Sequence, residues 1–243
     1  MDKFVVIMYH KLLSSGEGTR INHDKYAVSD RTFKRHLETI AGKYKAVPLE
    51  GLASGPVEKD YLGHVGITFD DGNASDYEIA YPLLEERRIP ATFFINTANI
   101  GKEGYLDWSR IRKMSRCGMA IGSHGHEHIR LTSMDRQKVK HQLSVSKRII
   151  EDKVGAEAKS ISSPYGAWNP DIAQAAFDAG YGLFCTSGNR PNRFGDTILH
   201  RCAIYGNTSD RTLSGLIETR NSIFLWRAFR GALISIPKTI LRK

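Results

Sequence analysis

Seven short apolar runs, rich in β-branched and aromatic residues, recur along this chain with intervals between them too long for a hairpin turn. They begin at Phe4, Val65, Ala91, Met119, Ser160, Tyr181 and Leu199. An unbroken apolar run of strand length suits a strand covered on both faces, and long connections make neighbouring strands parallel. The expected architecture is therefore a mostly parallel sheet with helices outside it. About seven strands in 243 residues fit a closed or nearly closed α/β barrel better than an open doubly wound sheet.

Helix signals fill the intervals. Ser29 stands as a cap ahead of Phe33, Leu37 and Ile40, and a helix is expected from Asp76 to about Arg87. Asp107 precedes Trp108, Ile111 and Met114, while Thr132 with Asp135 reads as a capping box ahead of Val139, Leu143 and Ile150. Asn169-Pro170 opens a helix through Ile172, Ala176 and Phe177. Gly51 to Asp60 reads as a surface loop, and no linker divides the chain. One domain over 1–218 and a basic tail over 219–243 are expected.

Composition narrows the class. With 41% hydrophobic and 25% charged residues the chain can bury a core, which excludes disorder. Cys117, Cys185 and Cys202 are too few and scattered for a disulfide framework and read as reduced core residues. The formal charge is +9, but Thr219 to Lys243 holds six basic residues and no acid; without them the charge falls to +3. That weakens any nucleic-acid-binding reading of the main domain. No run approaches the roughly 18 apolar residues of a membrane span, and the N-terminus lacks the pattern of a secretory signal, so a cytoplasmic setting is expected.

Three polar clusters follow predicted strands: Thr68-Phe69-Asp70-Asp71-Gly72, Ser123-His124-Gly125-His126-Glu127-His128 and Ser162-Ser163-Pro164-Tyr165-Gly166. In a barrel of this kind they share the C-terminal face, where active sites are built. Two adjacent acids leaving a strand serve either as a plain turn or as a divided pair, one ligating a cation and the other reaching a water on it. His124 and His128, four apart, meet on one face of a helical turn; with a carboxylate from another strand they make a site for a divalent metal. Such a site leaves coordination positions open and lowers the pKa of bound water toward about 7. Zinc fits these ligands, as do other divalent ions.

These motifs resemble the polysaccharide deacetylases of the NodB-homology type, carbohydrate esterase family four. TFDDG at 68–72 is the family's first motif unchanged; His124 to His128 aligns with its H-[ST]-x-x-H, with Gly125 for Ser or Thr. Ser162 to Gly166 aligns with R-x-P-[FY]-G, with Ser162 in place of Arg. Ala91-Thr92-Phe93-Phe94, Asp107-Trp108 and Gly122-Ser123 add context, so the resemblance covers roughly 4–205. It implies a distorted (β/α)7 barrel and metal-dependent hydrolysis of an N-acyl, usually N-acetyl, group on an amino sugar of a polysaccharide or glycan precursor. It assigns the metal, zinc or another divalent ion, to Asp71, His124 and His128. Asp70 becomes the general base, the Tyr165 N–H an oxyanion donor, and Pro164 and Tyr165 a wall of the sugar groove.

The departures raise their own expectations. The resemblance gives the motif-three Arg the task of positioning the base carboxylate; with that Arg absent, Arg201 on the last strand is expected to replace it, reaching over the mouth from another direction, and it joins Pro164 and Tyr165 in the substrate-binding set. The family's general-acid His has no counterpart near the C-terminus; His10, ending the first strand in Met8-Tyr9-His10, takes that role ahead of His200. His126 is expected to point away and pack. Two other readings compete: a non-catalytic carbohydrate-binding relative, and an amidohydrolase-type enzyme using His124-Gly125-His126. The tail carries a separate pair of readings. A helix from Arg220 to Ile236, with Trp226 and Phe229 on one side and cations on another, either packs on its domain or makes peripheral contact with the inner membrane face.

Overall fold

A computed structural model describes residues 3–15, 24–55 and 61–225. Seven parallel strands close into a barrel in chain order: β1 (Lys3–Tyr9), β2 (His64–Phe69), β3 (Thr92–Ile95), β4 (Ala120–Ser123), β5 (Ser160–Ser162), β6 (Leu183–Thr186) and β7 (Ile198–Ala203). Closure is made by β1, which pairs on one side with β2 in the register Val6 to Gly66 and on the other with β7 in the register Val6 to Arg201. Each predicted apolar run is one barrel strand. Four two-residue strands escape the sequence reading because so short a pairing has no periodicity.

Alternation along β1 divides the interior into two cores. Val5, Ile7 and Tyr9 face the helices, while Phe4 and Val6 face the barrel axis with Phe94, Leu183, Cys185 and Leu199. Helices α1 (Asp30–Lys43), α3 (Tyr81–Glu86, after a π-type turn), α4 (Trp108–Arg116), α5 (Arg136–Val154), α6 (Pro170–Asp178) and α7 (Asp210–Ile217) pack outside, and α2 (Leu49–Ala53) completes the set. The segment read as a loop from Gly51 thus begins inside α2. Leu49 and Leu52 plug the axial core there, and a Cβ on Gly66 would meet Leu49 at 2.8 Å and Leu52 at 3.1 Å, so glycine at this strand position lets the two leucines pack close to the backbone. With one end of the barrel filled by leucines, polar chemistry is confined to the other.

Caps fix where the helices start. Ser29, Asp107 and Asn169 accept from the first free backbone N–H groups of α1, α4 and α6, as expected. Before α5 the predicted capping box is replaced by a simpler device: Asp135 is itself the cap, accepting from Lys138 N at 2.9 Å, and Thr132 lies in a preceding 3₁₀ turn. Cys185 and Cys202 are buried, but Cys117 is exposed at the end of α4, contrary to its reading as core. Residues 221–225 are helical; the remainder of the expected tail helix lies outside the described residues. Among the described residues no helix is long and apolar enough to cross a membrane.

Candidate active site

The ends of β2, β4 and β5 bring the three sequence clusters to one mouth. After Phe69 the chain turns sharply: Asp71 at φ 77° and Gly72 at φ 73° both occupy the left-handed region. For Asp71 this is a sparsely populated conformation, tolerated because its short polar side chain suits it. The turn splits the two carboxylates. Asp70 points into the barrel and is 2% exposed, while Asp71 faces the mouth.

His124 and His128 do converge, but not on a helical turn. Residues 124–128 are a loop that Gly125 reverses at φ 79°, which explains why glycine replaces the expected hydroxyl residue. Gln142 of α5 pins this loop, its Oε1 accepting from His126 N and Glu127 N and its Nε2 donating to Glu127. The two rings lie 5.0 Å apart, and Asp71 Oδ1 is 3.4 Å from His124 Nε2 and 3.3 Å from His128 Nε2. One donor atom from each of the three lies within 4.8 Å of the others. His124 Nδ1 donates to the Ser162 carbonyl at 2.8 Å, which leaves Nε2 as the free ligand atom. Two imidazoles and a carboxylate so arranged are a donor set for a divalent cation with open positions. His126 turns away and bonds Thr97 Oγ1 through Nδ1 at 2.8 Å.

Arg201 pairs with Asp70, but from a different direction than expected. It does not reach over the mouth; it rises from β7 inside the barrel, fully buried, and grips Asp70 with Nη1–Oδ1 at 2.6 Å and Nη2–Oδ2 at 2.8 Å. Its remaining donors go to Thr186 O, Thr68 Oγ1 and Ser162 Oγ, so each of the five N–H groups of a guanidinium has an acceptor. Phe94 lies beneath it, 5.2 Å from the guanidinium carbon. Burial pushes the Asp70 carboxyl up, but Arg201 and His124 outweigh it and hold the group well below the usual carboxylate range. Asp70 is therefore ionised and fixed, 4.0 Å from His124 Nε2. Arg201 therefore holds Asp70 in place, and it also lines the cavity.

His10 also lines the mouth, its ring 4.5 Å from that of Tyr26 and tilted 39° to it, with Nδ1 buried and without a hydrogen-bond partner among the described residues. Burial lowers its pKa against the pull of Asp70. Tyr165 stands at the rim at φ 61°, its ring 4.7 Å from His128 and with the Arg130 guanidinium over it at 5.1 Å. Pro164 is buried and does not line the cavity; it packs beneath Gly125, so the groove wall is made by Tyr165 without it. The cavity holds about 530 Å³. Thr68 of the first motif and Phe94 of the third strand support Arg201 from below, while Gln142, which pins the histidine loop from behind, carries no motif signal. Tyr26 and Tyr205, which close its far wall, carry none either.

The family model for polysaccharide deacetylase matches residues 59–184, the stretch that supplies Asp70, Asp71, His124, His128 and Tyr165. YxkH of Bacillus subtilis (strain 168), a polysaccharide deacetylase by name, is 28% identical over 220 residues, covering 89% of this chain and 77% of its own. A poly-beta-1,6-N-acetyl-D-glucosamine N-deacetylase of Staphylococcus aureus (strain MRSA252) is 28% identical over 137 residues, and the match spans 47% of that protein and 49% of this chain. The fold is shared with the Streptococcus pyogenes deacetylase PplD, at TM-score 0.77 and 22% identity over 88% of this chain and 98% of that one. It is shared also with IcaB from Ammonifex degensii, at TM-score 0.73 and 24% identity over 90% of this chain and 98% of that one. With the motif residues gathered at one barrel mouth and the family model matching the strands that carry them, the chain belongs to the polysaccharide deacetylase family, a family of hydrolases.

Proposed function

We propose that this protein is a metal-dependent N-deacylase that removes an acyl group, most simply acetyl, from an amino sugar within a glycan or glycan precursor. The observation that carries this is the juxtaposition of a three-donor site, Asp71-His124-His128, with a separate buried carboxylate, Asp70, locked by Arg201. A divalent cation held by those three side chains supplies Lewis-acid polarisation of the acyl carbonyl and acidifies a bound water. The donor set fits zinc and accommodates other divalent ions.

The chain's own residues complete the chemistry. Asp70 takes the proton of the attacking water, and its orientation is set by the two Arg201 contacts and by Ser162. The Tyr165 N–H, presented at the rim by the left-handed backbone, donates to the oxyanion that develops on the acyl oxygen. His10, on the opposite side of the cavity, delivers a proton to the leaving amine. Tyr165 and Tyr26 offer flat faces to the sugar ring. A cytoplasmic precursor carried at the inner membrane face suits the basic composition of the tail, a reading carried by sequence alone.

The test is a panel of N-acetylglucosamine oligomers, β-1,4- and β-1,6-linked, and a nucleotide-linked N-acetylglucosamine, assayed for released acetate and free amine with and without metal. Asp70→Asn should retain metal and lose about 10² to 10⁴ in rate. Wild-type turnover in Asp70→Asn, or none on any substrate in the metal-replete protein, would overturn the assignment.

A further inference from the structure

Two aromatic walls flank the catalytic mouth, and each carries a cation that the chemistry described above does not use. Arg130 follows β4, and its guanidinium carbon lies 5.1 Å from the centre of the Tyr165 ring, which follows β5. Lys25, in the segment after β1, holds its Nζ 4.9 Å from the centre of the Tyr26 ring and 5.9 Å from that of Tyr205, which follows β7. Strand order around the closed barrel sets β4 and β5 across the mouth from β1 and β7, so the two cations stand on opposite sides of it. Arg130 and all three tyrosines line the cavity.

Both side chains are restrained without being neutralised. They are exposed, and among the described residues neither has an ion-pair partner. The acids nearest to them in sequence are engaged elsewhere: Asp24 Oδ1 accepts the Tyr26 N–H at 2.9 Å, and Glu127 accepts from Gln142 Nε2 at 2.9 Å. The two acids of the mouth are engaged as well, Asp70 with Arg201 and Asp71 with the two imidazoles. Resting on an aromatic face holds a cation in place while its N–H donors stay open. The backbones beneath are fixed: Ser133 N and Oγ donate to Arg130 O at 3.0 and 2.7 Å, and Gly206 N donates to Lys25 O at 3.1 Å. Tyr165 also links Arg130 to the donor set. Its ring is 4.7 Å from His128 and 5.1 Å from the guanidinium carbon, and the two separations add to 9.8 Å, the furthest that carbon can stand from the His128 ring.

We propose that the substrate is an acidic glycan, and that the anionic groups flanking its N-acylated unit are met by Arg130 on one wall of the mouth and by Lys25 on the other. A chain crossing the mouth sets its N-acylated unit at the donor set and presents what lies on either side of that unit to a tyrosine face with a cation beside it. A guanidinium or an ammonium matches a carboxylate or phosphate, and the tyrosine matches the flat side of a sugar ring. The inference rests on the reading of the mouth as a glycan deacylation site and names a feature of its substrate.

Isothermal titration of the metal-loaded protein compares three probes in an Asp70→Asn background, whose turnover is too slow to interfere and whose charge change is common to every arm. Chitotetraose is neutral, a hyaluronan tetrasaccharide carries carboxylates on the neighbouring units, and UDP-N-acetylglucosamine carries phosphate directly on the N-acylated unit. Arg130→Gln and Lys25→Gln should each weaken at least one acidic probe about three- to tenfold relative to chitotetraose at low salt, and by less at high salt. Arg130→Lys keeps the charge and should keep part of the preference. Which acidic probe responds identifies carboxylate or phosphate. If Arg130 served only to support Tyr165, its loss would weaken all three probes together and leave the acidic-to-neutral ratio unmoved. Ratios unmoved in both Gln variants overturn the proposal; a ratio unmoved in one confines the anion contact to the other wall. A ratio that responds in a protein releasing no acetate from any substrate would remove the deacylase reading and leave the acidic ligand standing, whereas acetate release with unmoved ratios does the reverse.

Discussion

Replacing Arg201 with Met tests the arrangement at its centre. The side chains of Arg201 and Asp70 are 0% and 3% exposed, so neither charge can fall back on water. Met keeps most of the buried volume and deletes every donor, leaving Asp70 a desolvated carboxylate supported by Ser162 Oγ at 3.4 Å and the more distant His124. Breaking a buried pair from one side costs about 3–5 kcal/mol, because the remaining charge keeps its desolvation penalty and loses its compensation. Asp70→Asn strands Arg201 in the same way. The double variant Asp70→Asn/Arg201→Met removes both charges and should cost less than the sum of the singles by at least about 1 kcal/mol. Urea unfolding of the four proteins gives the cycle, and metal content with acetate release gives the functional half: Arg201→Met should keep its metal and lose turnover. Because Ser162 Oγ lies 2.6 Å from Arg201 Nη2, an arginine introduced at 162 in an Arg201→Ala background aims at the same carboxylate and should restore part of the rate. An Arg201→Met protein with wild-type unfolding midpoint and turnover, or strictly additive singles, would refute the reasoning.

The purified protein should bind one divalent ion, and His124→Ala and His128→Ala should each lower that stoichiometry, measured by elemental analysis. Gly122→Ala should destabilise by about 1–3 kcal/mol and slow turnover without metal loss. A Cβ there would come within 2.5 Å of the Phe94 ring on which Arg201 rests, so the clash is transmitted to Asp70; calorimetry and acetate release read the two effects. His36 should make stability fall in acid. Burial lowers its pKa, and it is neutral, accepting from Tyr9 O–H at 2.9 Å and donating to Thr208 O at 3.0 Å. Its contribution is full above the unfolded value near 6.5 and is lost as the unfolded chain takes the proton below it, by up to about 1.4 kcal/mol per pH unit. Urea midpoints from pH 7.5 to 5.5 should fall more steeply in the wild type than in His36→Gln.

How far the sequence discloses this molecule depends on the range over which each feature is encoded. The seven barrel strands are legible because each is a contiguous apolar run buried on both faces, and the caps at Ser29, Asp107 and Asn169 because a cap acts within three residues of itself. Asp71, His124 and His128 are legible for a different reason: strand ends in a closed parallel barrel must share one rim, so order along the chain becomes neighbourhood in space. The pairing of His124 with His128 survives the wrong local conformation, since a Gly125 reversal brings the rings together as a helical turn would.

What stays hidden is set by which way a side chain points. Arg201 alternates with His200 on β7, one residue facing the axis and the other facing outward, and nothing local says which is which until the register with β1 is known. That single choice decides two functions. Facing the axis, Arg201 takes over the contact that an arginine at 162 makes from the neighbouring motif, and Ser162 becomes small enough to share the carboxylate with it. Facing outward, His200 does not line the mouth and instead bonds Arg190. Shifting β7 by one residue would exchange these roles and put a neutral imidazole where the Asp70 carboxylate needs a cation. The substitution at 162 and the orientation of β7 are therefore one solution to one electrostatic requirement, reached from two strands of the same barrel.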